Sequence, residues 1–372
     1  MRILISGAGV AGLSAAINLG TDGHDVTIVE RADHLGGSAP PIDIRGHSID
    51  VADKMGLLGQ IHERKIDMTE RVQFVDGAGT VVAELPLDEI NDSPDDIEIA
   101  RDDLTNILRN RLGSSAELRF CESVADLDDS GSGVDVRFSS GAVERYNLVV
   151  GADGMHSAVR RLTFGPERQF LHHLGFYTGM AALPGYHPTD RVNPMYNFPG
   201  HIVGIMSYNT KALAFFMFRS PWIDYDYHDL AAKKRILAEA FTGHHEWRVP
   251  ELVDAARQDP QVYFDSESQI QMPSWHNGRV VLVGDAAHCA STLSGRGTSL
   301  ALSGAWFLAQ ALRAHPSNLG DAWEQYERDQ RPEVLRCQAT AAPGGELLAP
   351  ATQDEIDTRN RELIAHSKNQ RP

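Results

Sequence analysis

The chain has 372 residues, 42% of them hydrophobic and 23% charged, an ordinary globular composition that excludes a fibrous or disordered chain. That length predicts two intertwined domains plus a tail rather than one small core. With 34 basic and 51 acidic residues the net charge is −17, which works against nucleic acid as a partner because phosphate contacts dominate such binding.

In chain order, Arg2 to Gly7 reads as a buried strand, Gly7-Ala-Gly9-Val-Ala-Gly12 as a tight turn, Val10 to Leu19 as a helix and Val26 to Glu30 as a second strand. This is the pattern of a dinucleotide cradle. Gly7 permits the turn, Gly9 lets backbone approach a pyrophosphate at the helix N-terminus, and Gly12 lets helix and strand pack closely. Glu30 stands near the spacing of roughly 20 residues at which a carboxylate meets a ribose hydroxyl. The cradle alone leaves FAD and NAD(P) both open. The apolar N-terminus superficially resembles a signal peptide, but the glycine spacing accounts for the same residues better.

Arg31 to Pro41 reads as a loop, and from Ser48 the apolar Ile49, Ala52, Met55 and Leu58 recur at helical spacing, with Ser48 as the expected N-cap. Arg45 stands at that junction, a place suited to a cation facing a phosphate or flavin and equally to a solvated arginine. Arg71 to Leu87 reads as a hairpin inserted into the nucleotide domain, Asp88 to Glu98 as an acidic turn, and Ile99 to Leu112 as a helix opened by Arg101. Strands over Val134 to Phe138 and Tyr146 to Val150 lead into Gly151-Ala-Asp153-Gly154.

Strands over Leu174 to Leu183, His201 to Tyr208 and Ala212 to Arg219, with helices over Ala231 to Phe241 and Pro250 to Ala256, make a second, aromatic-rich domain. Its aromatic side chains suit a flat apolar ligand, although the sequence does not show which face a cavity. Val280 to Val283 is a strand before Gly284-Asp285-Ala-Ala-His288, followed by Gly295-Arg-Gly297-Thr-Ser-Leu and helices over Ala301 to Leu312 and Asp321 to Arg331. Arg331-Pro332 is expected to break the pattern, leaving loop and one polar helix to the end.

Three cysteines, Cys121, Cys289 and Cys337, suggest no disulfide framework and fit a reducing cytoplasm. No run approaches the ~20 apolar residues that span a bilayer, so a soluble chain without a membrane partner is expected. His244-His245-Glu246 lacks metal-ligand spacing, and no metal is expected. His288 is expected to be structural, Cys289 a buried inert thiol, and no Gly-x-Ser-x-Gly elbow supports hydrolase chemistry.

Gly7-Ala-Gly9-Val-Ala-Gly12, Asp153-Gly154 with Ser157 and Arg160, and Gly284-Asp285-Ala-Ala-His288 stand in an order and spacing that resembles the para-hydroxybenzoate hydroxylase-like class A flavoprotein monooxygenases, including tetracycline-modifying and polyketide-hydroxylating enzymes. The resemblance runs to about Pro332. It implies an α/β fold: a Rossmann-like FAD-binding domain over residues 1–70, 95–166 and 275–331, an interleaved mixed-sheet substrate domain over 71–94 and 167–274, and a C-terminal helical tail over 332–372. It also implies that FAD is held by Gly7, Gly9, Gly12, Glu30, Arg31, Arg45, Arg101, Asp153, Asp285, Gly295, Gly297 and Thr298. Asp285 would bind the ribityl hydroxyls; its position after a buried strand suits a polyol crevice independently, and an N-cap is the structural alternative. Asp153 would serve both FAD and NAD(P)H, or simply form an Asp-Gly turn.

The implied activity is NAD(P)H- and O2-dependent hydroxylation of an aromatic or polycyclic small molecule through a flavin C4a-hydroperoxide, NAD(P)H visiting transiently as reductant in a monomer or homodimer. No catalytic side chain is implied, because the flavin does the chemistry beside the loop of Thr292, Gly295, Arg296 and Gly297. That loop departs from the family: Thr292 stands where Pro is usual, Arg296 where Gln is, and Ser299 where Asn is. Arg296 could raise the flavin potential, attract an anionic substrate or point to solvent. Two alternatives stay open, an FAD-dependent reductase or dehydrogenase of an apolar substrate and a catalytically weak FAD- or ligand-binding protein.

Overall fold

A computed structural model describes residues 1–36, 41–66, 71–85, 93–114, 116–186 and 192–369. Residues 86–92, which carry part of the expected acidic turn, and the last three residues of the expected tail lie outside the described residues. The fold is α/β. Its first layer is a six-stranded sheet in the order His276–Asn277, Val280–Leu282, Leu148–Gly151, Arg2–Ser6, Asp25–Val29, Ala116–Arg119, parallel throughout except at the His276–Asn277 edge. Ile3, Leu4 and Ile5, Leu148 to Val150 and Val280 to Leu282 are fully buried because helices cover both faces of such a sheet, and so these strands read as continuous apolar runs. The helices Val10–Thr21 and Gly297–Ala314 pack against one another beside this sheet.

The second layer is a seven-stranded sheet in the order Tyr263–Ile270, Leu171–Ala182, Lys211–Arg219, His201–Tyr208, Val192–Phe198, Arg71–Val75, Val81–Leu85. Val192–Phe198 pairs antiparallel with His201–Tyr208 and parallel with Arg71–Val75, so the early hairpin is built into the later sheet. One face, with Tyr177, Phe216, Phe218 and Phe264, is covered by the helices Leu230–Ala240 and Val249–Gln258. The other, with Phe176, Met180, Leu213, Phe215 and Met217, turns toward Leu293 and the C-terminal helices. This alternation divides the aromatic side chains that the sequence left unsorted.

Several expectations need correction. Ser48 is not an N-cap: the helix His47–Lys54 is capped at Gly46, and the buried Ser48 hydroxyl donates back to the Arg45 carbonyl (2.7 Å). The strands Val192–Phe198 and Tyr263–Ile270 went unread, the first because Pro194 interrupts it and the second because Asp265-Ser-Glu-Ser-Gln269 lacks an apolar face.

Arg331-Pro332 does not break a helix. One helix runs for 30 residues, Leu319–Leu348, through Pro332 and Pro343, and a further helix covers Gln353–Asn369. An internal proline costs about 3 kcal/mol, offset here by packing along the whole length. Trp323 and Tyr326 donate to the Gly278 and Leu282 carbonyls (both 3.1 Å), while Gln338 donates to those of Ile270 and Cys289 (3.0 and 3.1 Å). At the far end Asn197 donates to the Leu348 carbonyl (2.7 Å) and Arg219 to that of Ala349 (2.7 Å). Gly344 and Gly345 are glycines for room: a Cβ would stand 3.1 Å from the Leu293 carbonyl oxygen at the first and 2.6 Å from the Phe176 ring at the second. The expected boundary at residue 332 therefore falls inside a helix that bridges both layers.

Candidate functional site

The three glycines of the first turn serve three different purposes. Gly7 has φ +104°, and a Cβ on it would lie 2.4 Å from the Ala152 carbonyl oxygen. At Gly12 a Cβ would lie 1.9 Å from the Gly7 carbonyl oxygen. Gly9 has an ordinary backbone, φ −75° and ψ −174°, and nothing within 4 Å of where its Cβ would be. Protein packing therefore explains Gly7 and Gly12 but not Gly9, whose empty side faces the end of the Val10–Thr21 helix. That opening fits a dinucleotide pyrophosphate at a helix N-terminus. Glu30 closes the turn, its carboxylate accepting from the amides of Ala8 and Ala32 (2.9 Å each). Arg31 points away, toward the His228 ring (3.0 Å to Nε2) in the second layer.

Asp285 follows the Val280–Leu282 strand where the parallel sheet opens. Its side chain is exposed to solvent at the C-terminal end of that strand, where the crevice of an α/β sheet opens. Burial pushes its pKa up, and the Arg101 guanidinium opposes this by favouring the carboxylate. Arg101 is itself exposed at the start of the Arg101–Arg111 helix. The Gly297–Ala314 helix starts beside Asp285, with the Gly297 Cβ position 4.0 Å from Oδ1, and no side chain caps its N-terminus. The amides of Gly297 and Thr298 are thus open to an electron-rich ligand edge.

Arg45 lies on the same rim. Its guanidinium pairs with Asp43 (2.8 Å) and faces Asp96 (3.9 Å), and its Cζ is 3.8 Å from the Gly295 Cβ position. The Arg45 amide donates to the hydroxyls of Ser48 (3.1 Å) and Ser299 (2.9 Å), so Ser299 pins the helix start to the Ile42–Ile44 strand. Arg296 does not point to solvent: it is buried, and desolvation and the neighbouring Arg336 push its pKa down.

Asp153 is spent on its own helix. Its carboxylate accepts from the Ser157 hydroxyl and from the amides of Ala158 (2.8 Å) and Val159 (3.1 Å), while burial pushes its pKa up. Arg160, fully buried, donates to the Ala286 carbonyl (2.9 Å) and to Glu167 (2.7 Å), joining this segment to the Asp285 turn. His288 is buried beside Trp275, and burial pushes it down to about 3, which keeps the ring neutral. Burial likewise holds the Cys289 thiol well above its ordinary pKa. His244 stacks on Phe198 (3.8 Å), and among the described residues no cluster of three or more His, Cys, Asp or Glu could hold a metal.

Sequence reasoning passed over His156 and Glu267. Tyr227 stacks on His156 (4.0 Å), whose nitrogens meet Glu167 (2.9 Å) and Asp265 (3.3 Å) across the two layers. Burial alone would lower its pKa, but the two carboxylates carry it up to about 9. A histidine raised from about 6.5 contributes full stability below its unfolded pKa and loses it as pH rises through 9. Melting temperatures should therefore fall between pH 6.5 and 9 more steeply in the wild type than in His156→Gln. Parallel profiles would refute the bridge. No motif marks either residue, since each acts through partners distant in sequence.

Residues 1–337 match the family described as FAD binding domain. The chain is 38% identical to an uncharacterized protein of Mycobacterium tuberculosis over 98% of each chain. It is 33% identical to a flavin-dependent monooxygenase of Legionella longbeachae, the match covering 88% of this chain and 84% of that protein. The solved tetracycline destructase Tet(51) superposes with a TM-score of 0.86 at 30% identity, over 99% of this chain and 96% of that one. No helix among the described residues is long and apolar enough to cross a membrane. The open Gly9 cradle, the cleft around Asp285 and these likenesses converge: the chain belongs to the class A aromatic-hydroxylase family of flavoproteins and is an FAD-dependent monooxygenase.

Proposed function

We propose that the protein uses NAD(P)H and O2 to hydroxylate an aromatic or polycyclic small molecule. The observation that carries this reading is the exposed Asp285 carboxylate beside the uncapped start of the Gly297–Ala314 helix, on a turn that packs against the Tyr263–Ile270 strand of the aromatic-rich second sheet. An aromatic-rich sheet suits a flat, electron-rich substrate. Tet(51), named for tetracycline, makes such polycycles the first compounds to try. Bound FAD would supply the chemistry, accepting a hydride and activating dioxygen at its C4a carbon.

The chain's own residues bind and orient. Gly7, Gly9, Gly12 and Glu30 receive the ADP half, while Arg31 turns aside to His228. Asp285 takes the ribityl hydroxyls, Arg45 and Arg101 line the rim, and Gly295, Gly297 and Thr298 meet the ring. Asp153 and Arg160 hold the segment between them. Residues 1–70, 95–166 and 275–331 form the FAD-binding part, and 71–94 and 167–274 the substrate part. A cytoplasmic setting is supported by the free thiols of Cys121, Cys289 and Cys337. Purified protein incubated with FAD should turn yellow, and a substrate should speed NAD(P)H oxidation while gaining one oxygen atom. Flavin reduction without oxygen consumption, with any polycyclic phenol, would instead make it a reductase.

A further inference from the structure

Glu267, on the strand Tyr263–Ile270 of the second sheet, is 2% exposed, and its carboxylate is directed at the Thr292–Ser294 turn of the other layer. One oxygen accepts from the Ser291 hydroxyl and from the Thr292 amide (3.1 Å), and the other accepts from the Thr292 hydroxyl. A buried carboxylate is tolerated when donors saturate it, and three donors from two consecutive residues do so here. The segment it holds does not rest in its shape unaided. Ser291 has φ +73° and ψ 151°, a backbone that L-residues seldom adopt without support.

The rest of the turn is fixed by the same sheet face and by the Leu319–Leu348 helix. Leu293 lies against Phe176, the cross-strand neighbour of Glu267, and the Gly345 Cβ position is 3.1 Å from Leu293 Cδ1. Gly295 follows at φ +61° and leads into the uncapped helix start. Between them Glu267 and Gly345 leave the turn one position relative to the cleft. We propose that Glu267 is a positioning residue that sets the distance of the Thr292–Gly297 backbone from the flavin ring, with Ser291 and Thr292 as the side chains through which it acts. The placement rests on the flavin reading of the cleft given above. The substitution Thr292, far from marking a weakened site, supplies two of the three donors, its hydroxyl and an amide N–H that proline lacks.

The test uses full-length Thr292→Val, which keeps the shape and removes the hydroxyl, Thr292→Ser, which restores it, and Glu267→Ala. Apo-protein melting, the FAD dissociation constant, the visible spectrum and reduction potential of bound FAD, and the kcat against KM split are measured for each. Misplacement of a reacting group by about 1 Å costs roughly 100-fold. Thr292→Val should bind FAD like the wild type, shift the flavin spectrum and potential, and lower kcat by roughly 10- to 100-fold at unchanged KM. Thr292→Ser should return all three toward wild type, and Glu267→Ala should exceed Thr292→Val in the spectral shift. A wild-type spectrum and potential in Thr292→Val would overturn the proposal, as would a change that follows only the melting temperature and is not restored by Thr292→Ser. If the wild type itself fails to retain FAD, the flavin reading falls and this inference with it; intact flavin binding with indifferent variants removes the inference alone.

Discussion

A Gly9→Val protein is expected to fold and to emerge from purification without flavin. The added side chain enters space that no protein atom occupies, on a backbone that valine adopts readily. Apo-protein stability should drop by no more than about 1 kcal/mol, the cost of a poorer helix cap. FAD affinity should fall roughly 100-fold or more, about 2.8 kcal/mol, because the pyrophosphate needs that volume. Gly12→Ala is the opposite case. Its Cβ would stand 1.9 Å from the Gly7 carbonyl oxygen, so the helix must leave the strand, at a cost of about 3 kcal/mol or more. Apo-protein melts and flavin absorbance after gel filtration separate the two. Retained flavin in Gly9→Val would show that the cradle is not where FAD binds.

Asp285→Asn should move binding and stability in opposite directions. A carboxyl whose pKa is raised by burial costs stability once pH exceeds its unfolded value, and at neutral pH that cost applies in the apo-protein. Asparagine removes it, so the apo-protein should melt at the same temperature or higher. Hydrogen bonds to a charged group contribute about 1.5–3 kcal/mol, so the FAD dissociation constant should rise roughly 10- to 100-fold. Fluorescence titration reads the second effect. A variant that lost stability while binding FAD normally would place Asp285 among the structural carboxylates, beside Asp153.

What could be read from the sequence followed from local chemistry. Gly7, Gly9, Gly12 and Glu30 lie within one strand-turn-helix-strand unit, and Asp285 follows a buried apolar strand, so spacing alone brings them forward. The edge of the second sheet could not be read in this way. Tyr263–Ile270 is rich in polar residues because its carboxylates cross to the other layer, Asp265 to His156 and Glu267 to Thr292, and hydrophobic periodicity has no term for such a bridge. Pro332 misleads for a related reason, and Pro343, Gly344 and Gly345 continue the same helix beyond it. Proline and glycine are breakers in an isolated helix, but here tertiary packing holds the helix, and Leu293 and Phe176 fill the space that side chains at Gly344 and Gly345 would take.

The helix Leu319–Leu348 is also a matter of timing. It leaves the ribosome after every strand of both sheets, and at roughly 5–20 residues per second it follows the first strand by tens of seconds. Until it arrives, Trp275, Phe176 and the Leu293 turn have no cover, and neither sheet has its final neighbour. The nascent chain must therefore wait with apolar surface exposed, a natural client for holding chaperones, and its yield in a foreign host should depend more on that interval than on the stability of the finished fold.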